Sequence, residues 1–143
     1  MNIGDRFFCS SCMIELKEEG KCEKCGYDPS KEADSNALEE GTLLQGIRFQ
    51  IGALQKKTDM YYIYGAYDYL WQRPVYIYEL YPNIGLERRS DTVYPVPEKE
   101  KEFDEIKMND RLFSFRNYEM LEYNNTVYHC IPAKDNVPLT DEF

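Results

Sequence analysis

Residues 9–25 read CSSCMIELKEEGKCEKC: two C-x-x-C pairs with nine residues between them, the second followed at once by Gly26. Two intervening residues let the backbone turn back and aim both sulfurs at one point. Glycine at 26 permits the positive φ that such a turn often needs. Two of these pairs make a set of four thiolates, the ligand set of a closed structural zinc site. With every position filled by protein, no site is left for a metal-bound water, and hydrolytic zinc chemistry is excluded. Met13, Ile14 and Leu16 are the apolar residues on offer in this stretch. They are too few to fold it, so metal binding has to supply the folding energy. The spacing predicts a zinc ribbon over residues 1–28, with one structural Zn²⁺ held by Cys9, Cys12, Cys22 and Cys25. The competing reading is reduced, unpaired cysteines in a disordered tail; in a secreted chain the same crowding would point to disulfides instead.

The opening residues, MNIGDRFFCSSC, carry neither a basic region nor an apolar core and are not a secretion signal. No apolar run approaches the roughly 18–20 residues of a membrane span. A cytoplasmic protein that does not engage a membrane is expected. The net charge is −9, and four thiolates around one divalent ion make it more negative still. Lysines and arginines are scattered, adjacent only at Lys56-Lys57 and Arg88-Arg89. Such a chain repels a phosphate backbone, which disfavours nucleic acid as a partner.

The 143 residues, 43% of them hydrophobic, suit one ordinary core. Residues 28–41, DPSKEADSNALEEG, are polar and mark a linker, placed over 29–42. Beyond it, residues 47–54, 60–69 and 75–81 are rich in aromatic and β-branched residues and read as strands, with LWQRP as the hairpin connection between the last two. From Glu98 to Phe113 the rhythm becomes helical. Phe103, Ile106, Asp110 and Phe113 share a stripe with Leu112 beside it, acidic residues crowd the first turns, and Pro97 stands where a helix begins. Residues 118–123 and 126–131 read as two more strands around the turn Asn124-Asn125. The expected fold class is therefore α+β, with a small four-cysteine zinc ribbon, then a five-stranded antiparallel sheet with one helix over 43–133, then a tail over 134–143.

Three side-chain readings rest on the same pattern. Cys130, in NNTVYHCI, reads as a buried small residue of a strand, and His129 should face away from it because neighbouring strand residues alternate. The thirteen tyrosines read mainly as packed sheet residues. The acidic run Glu98–Glu105 reads as a solvated helix face. With one histidine and no complete set of nucleophile, base and oxyanion donors, the residues assemble no catalytic site.

The order of three strands, a helix and two strands is that of a protein kinase's N-terminal lobe, and several segments resemble it. GTLLQGIRFQIGAL is similar to the G-T-x-L-x-x-R-Y-x-I-G opening of bacterial serine/threonine kinases. VYIYELYP falls on the family's V-A-I-K-E-Y-F-P. RRSDTVYPV and NNTVYHC look like later segments of the same lobe, and CSSCMIEL…CEKCGYDPS looks like ribbons that precede some bacterial kinase domains. The departures matter as much. Without gaps, Lys56, Thr58 and Tyr61 occupy the three positions of the glycine-rich loop, whose backbone in kinases lies against ATP phosphates. Tyr78 stands where the family carries its phosphate-binding lysine. Glu105 is the candidate for the helix glutamate that would pair with that lysine. No H-R-D or D-F-G segment follows Ala133.

The resemblance thus implies a degenerate, pseudokinase-like N-lobe with no catalytic residues and no ATP bound in the kinase manner. Its implied role is a non-catalytic, zinc-binding interaction or regulatory module. The partners would be another protein, such as a kinase or its C-lobe, or a second copy in a homo-oligomer. Tyr78, Leu80, Cys130 and Ile131 are the candidate contact surface, and the Tyr78 ring would fill the space the nucleotide phosphates need. The alternative is a zinc-ribbon factor associated with nucleic acid or the ribosome.

Overall fold

The computed structural model describes residues 1–27, 34, 36–112 and 119–133. At the N-terminus three short strands, β1 (Asn2–Ile3), β2 (Arg6–Phe8) and β3 (Glu15–Leu16), form a small antiparallel sheet in that order. The main sheet contains β4 (Leu43–Leu44), β5 (Phe49–Lys57), β6 (Tyr61–Asp68) and β7 (Arg73–Leu80). A separate hairpin, β8 (Leu86–Arg89) and β9 (Thr92–Pro95), precedes helix α1 (Glu100–Leu112), and β10 (Glu119–Tyr123) and β11 (Thr126–Pro132) complete the sheet. The described residues are mostly β-sheet with one α-helix, in the strand order β10-β11-β7-β6-β5-β4.

The sheet has six strands, which corrects the expected five. The extra strand is β4, which pairs only Leu43 and Leu44 with Gln50 and Phe49. Two residues carry no alternation, and the turn that folds them back relies on positive φ at Gln45 and Gly46. The hairpin β8–β9 has no counterpart among the expected strands either. Its LERR strand is polar, yet Val93 opposite it is fully buried, and the Asn124-Asn125 turn clasps it from both sides. Val93 N donates to Asn124 O at 2.9 Å, and Asn125 Nδ2 donates to Val93 O at 2.9 Å.

Alternation gives the sheet two distinct faces. Phe49, Ile51, Tyr64, Val75, Ile77 and Tyr128 point to one, where Phe103 of α1, Val93 and Leu38 close the main core. Burying each such side chain contributes about 1.5–3 kcal/mol. One carboxylate, Glu79, lies within this core. It accepts the hydroxyls of Tyr64 at 2.8 Å and Tyr128 at 2.7 Å, and it is paired with Arg88 of β8, whose Nη1 is 3.1 Å away. The opposite face holds a second cluster of Ile63, Tyr76, Tyr78 and Ile131.

Helix α1 buries Phe103, Lys107 and Asp110, a stripe at i, i+4 and i+7, while Leu112 is 73% exposed. Pro97 opens a 3₁₀ turn, Pro97–Lys99, just ahead of it. Glu98, Glu100, Glu102, Asp104 and Glu105 are all exposed, as the acidic run predicted. Phe113, the first residue of the expected strand 118–123, part of the linker and the tail 134–143 lie outside the described residues.

Candidate metal centre and the sheet face beneath it

Each C-x-x-C pair closes a turn of the same design. In the first, Met13 N donates to Cys9 O and Cys9 N to Ile14 O, both at 2.9 Å. In the second, Gly26 N donates to Cys22 O and Cys22 N to Tyr27 O, also at 2.9 Å. The residue after the second cysteine has positive φ in both turns, 62° at Met13 and 79° at Gly26. Only the second turn shows this in the sequence, because glycine adopts that conformation without cost and methionine does not.

The two turns bring all four sulfurs together. Their Sγ atoms lie within 4.8 Å of one another, with Cys9–Cys25 at 3.5 Å and Cys12–Cys22 at 3.8 Å. A tetrahedron with metal–sulfur bonds of about 2.3 Å has edges of about 3.8 Å, so the donor set fits a thiolate-bound cation. Cys9, Cys12 and Cys22 are buried and Cys25 is half-buried. The sulfurs are close enough to act on one another's protons. The Cys12 hydrogen bond pulls Cys9 down to about 5, the same contact pushes Cys12 up, and burial pushes Cys25 up to about 11. A bound cation would hold all four as thiolates.

The first turn is seated on the second face of the sheet. Ser10 O accepts the amide of Ala53 at 2.6 Å, a donor that the bulged register of β5 between Ile51 and Leu54 turns away from β6. Tyr76 donates its hydroxyl to Cys12 O at 2.6 Å, and Ser11 donates its own to Gln55. Met13 packs with Phe8 and Tyr67, whose rings are 5.7 Å apart.

Further along this face, Tyr78 is 2% exposed among Ile63, Tyr76 and Ile131, with Tyr61 edge-on at 5.9 Å. Tyr61 donates its hydroxyl to Asp110 Oδ1, and His129 Nε2 lies 2.7 Å from Asp110 Oδ2. Burial, and then that hydrogen bond, push the Tyr61 hydroxyl up. Asp110 is thus the carboxylate by which α1 reaches the sheet. Glu105, the candidate from the sequence, is exposed to solvent instead.

The turn between β5 and β6 is closed on itself. Thr58 Oγ1 accepts the amides of Tyr61 at 2.9 Å and Met60 at 3.3 Å. Of the expected contact surface, Tyr78, Leu80 and Ile131 share a face by alternation, but Cys130 does not. It pairs with Ile77 and sits in the main core, where burial pushes its thiol up to about 12. His129 faces the other way, toward Asp110, as alternation required. The Asp110–His129–Tyr61 group had one legible signal, the place of Asp110 on the helical stripe. Its partners could not be read because they depend on how α1 crosses the sheet.

No protein-family model matches the chain, and no curated protein matches it. Among solved structures it is similar to the apo form of PpkA-294, a fragment of a bacterial serine/threonine kinase, with 22% identity and a TM-score of 0.55. The match covers 68% of this chain and 39% of the other, so the chain spans well under half the length of the structure it resembles. At this identity the likeness is one of fold, and the fold has a kinase-like neighbour.

Proposed function

We propose that the chain is a zinc-binding, kinase-derived interaction or regulatory module that does not grip ATP as kinases do. The observation that carries this reading is Tyr78. At the position where the resemblance calls for a lysine stands a neutral phenol, almost wholly buried in an apolar cluster. Such a group offers no cation to a phosphate at neutral pH. The amides of Met60 and Tyr61, in the turn that corresponds to the glycine-rich loop, are bonded to Thr58 rather than presented to a ligand. Four thiolates in a closed tetrahedral set favour structural Zn²⁺.

A protein partner is supported by the end of the sheet where two turns meet. Ile47 is 77% exposed and Leu70 and Trp71 are each 63% exposed. A shallow cavity of about 440 Å³ is lined there by Gln45, Ile47, Arg48, Tyr69 and Leu70. Exposed apolar side chains gathered at one place are a mark of interaction sites. No helix among the described residues is long and apolar enough to cross a membrane.

The reading is tested by thermal unfolding with and without millimolar Mg–ATP. Ligand that binds the native state must raise the melting temperature. No rise is expected, and a concentration-dependent rise would overturn the proposal. The regulatory half is tested by adding the protein to an intact ribbon-bearing kinase from the same genome and following autophosphorylation and complex formation. A change in rate with a stable complex supports it; neither one refutes it.

A further inference from the structure

The first cysteine turn and the sheet are fitted together more closely than a tethered appendage requires. Gly52 on β5 and Gly65 on β6 lie side by side under it. A Cβ on Gly52 would stand 2.3 Å from the Ser10 carbonyl oxygen. A Cβ on Gly65 would stand 2.3 Å from Ser11 O and 2.7 Å from Ser10 O. These are backbone atoms and cannot swing aside. Neither glycine has positive φ, so close approach is what requires glycine here. Above this floor the Ala53 amide, the Tyr76 hydroxyl and the Ser11 hydroxyl join the two parts. The groups on the ribbon side belong to Ser10, Ser11 and Cys12, and their course is set by the need to bring the Cys9 and Cys12 sulfurs to one point. The main core lies on the opposite face, in a separate cluster, and does not draw on these contacts.

We propose that the Cys9–Met13 turn is a metal-gated cover. Metal closure holds its carbonyls on the sheet, and metal loss releases it while the sheet stays folded, uncovering the Ala53 amide, the Tyr76 hydroxyl and the Gly52–Gly65 floor. Occupancy of a site outside the sheet is thereby converted into exposure of one sheet face. The inference rests on the metal reading above. Because coupling is reciprocal, seating the cover also raises metal affinity.

Hydrogen exchange on the purified full chain tests it, with metal content measured first. Absence of metal in unchelated protein would sink the zinc reading by itself, before the cover is tested. After chelation the Ala53 amide is expected to exchange at least about tenfold faster, while the amides of β7 and β11 keep their protection. Retained protection at Ala53, or loss of protection in β7 and β11 in step with it, would overturn the cover. Gly65→Ala should expose Ala53 with metal still bound at its original stoichiometry; an Ala53 amide that stays protected in that variant counts against the proposal. If Gly65→Ala does not fold, Tyr76→Phe serves instead. It should weaken zinc affinity severalfold in competition with a chromophoric chelator, and an unchanged affinity refutes the coupling.

Discussion

Met13 holds two opposed demands in one side chain. Its φ of 62° places a non-glycine residue in the left-handed region, which costs about 1–2 kcal/mol. Its side chain is 3% exposed, packed with Phe8 and Tyr67, and that burial contributes about 1.5–3 kcal/mol. Burial wins. Met13→Gly should therefore lower stability by about 1 kcal/mol in urea unfolding of the metal-loaded protein, although it relieves the backbone. A gain in stability would show that strain dominates. The same residue marks a limit of sequence reading. Gly26 announces its turn by being glycine, whereas Met13 occupies the matching place and announces nothing. Its methionine is explained by the sheet packed against it, which no local pattern contains.

Among the elements, β5, β6, β7, β10 and β11 were legible because aromatic and β-branched residues run long enough to set a pattern, and Pro97 marked the approach to α1. β4 was too short to show alternation. The β8–β9 hairpin was hidden by its charges, since Arg88 looks like a surface residue until the structure pairs it inside with Glu79 of β7. Leu38 was hidden likewise in a polar stretch, yet it is buried and its amide donates to Tyr64 Oη at 3.0 Å. The Arg88–Glu79 pair ties the hairpin to β7, and both side chains are almost fully enclosed. Arg88→Met would leave a carboxylate in the core with only tyrosine hydroxyls for company, a loss of about 3–5 kcal/mol. The predicted result is a much lower urea midpoint, with β8 and β9 losing exchange protection. A shift below about 1 kcal/mol would mean the pair is far better solvated than its burial indicates.

Across the molecule the convergence of Cys9, Cys12, Cys22 and Cys25 was readable, because C-x-x-C spacing is a local property. Where that site sits was not, because Gly52 and Gly65 look like ordinary strand glycines until the ribbon is laid on them. Tyrosine density has a consequence at this scale. Burial, first of all, pushes Tyr61, Tyr64, Tyr81 and Tyr128 above the ordinary phenol value; the Asp110 hydrogen bond adds to this at Tyr61 and the Glu79 charge adds to it at Tyr64 and Tyr128. A group whose pKa is raised by folding stabilises the native state fully below its unfolded value. That stability is lost as pH climbs from about 10 upward. Absorbance titration at alkaline pH should accordingly show these four phenols ionising late, together with unfolding. Thirteen phenols titrating as one normal class in folded protein would contradict the packing.

The Thr58 hydroxyl, bonded to the amides of Met60 and Tyr61, bears on what a lysine at position 78 would meet. A Tyr78→Lys change would insert an ammonium among Ile63, Tyr76 and Ile131, beside a carboxylate already engaged by Tyr61 and His129. The Met60 and Tyr61 amides, already bonded to Thr58, would not be available to an anion beside it. A cation at position 78 would thus require the turn and the helix contact to rearrange together before it could meet an anion. Contacts shared among so many parts leave little room for any one of them to vary alone: each residue sets the terms on which its neighbours can change.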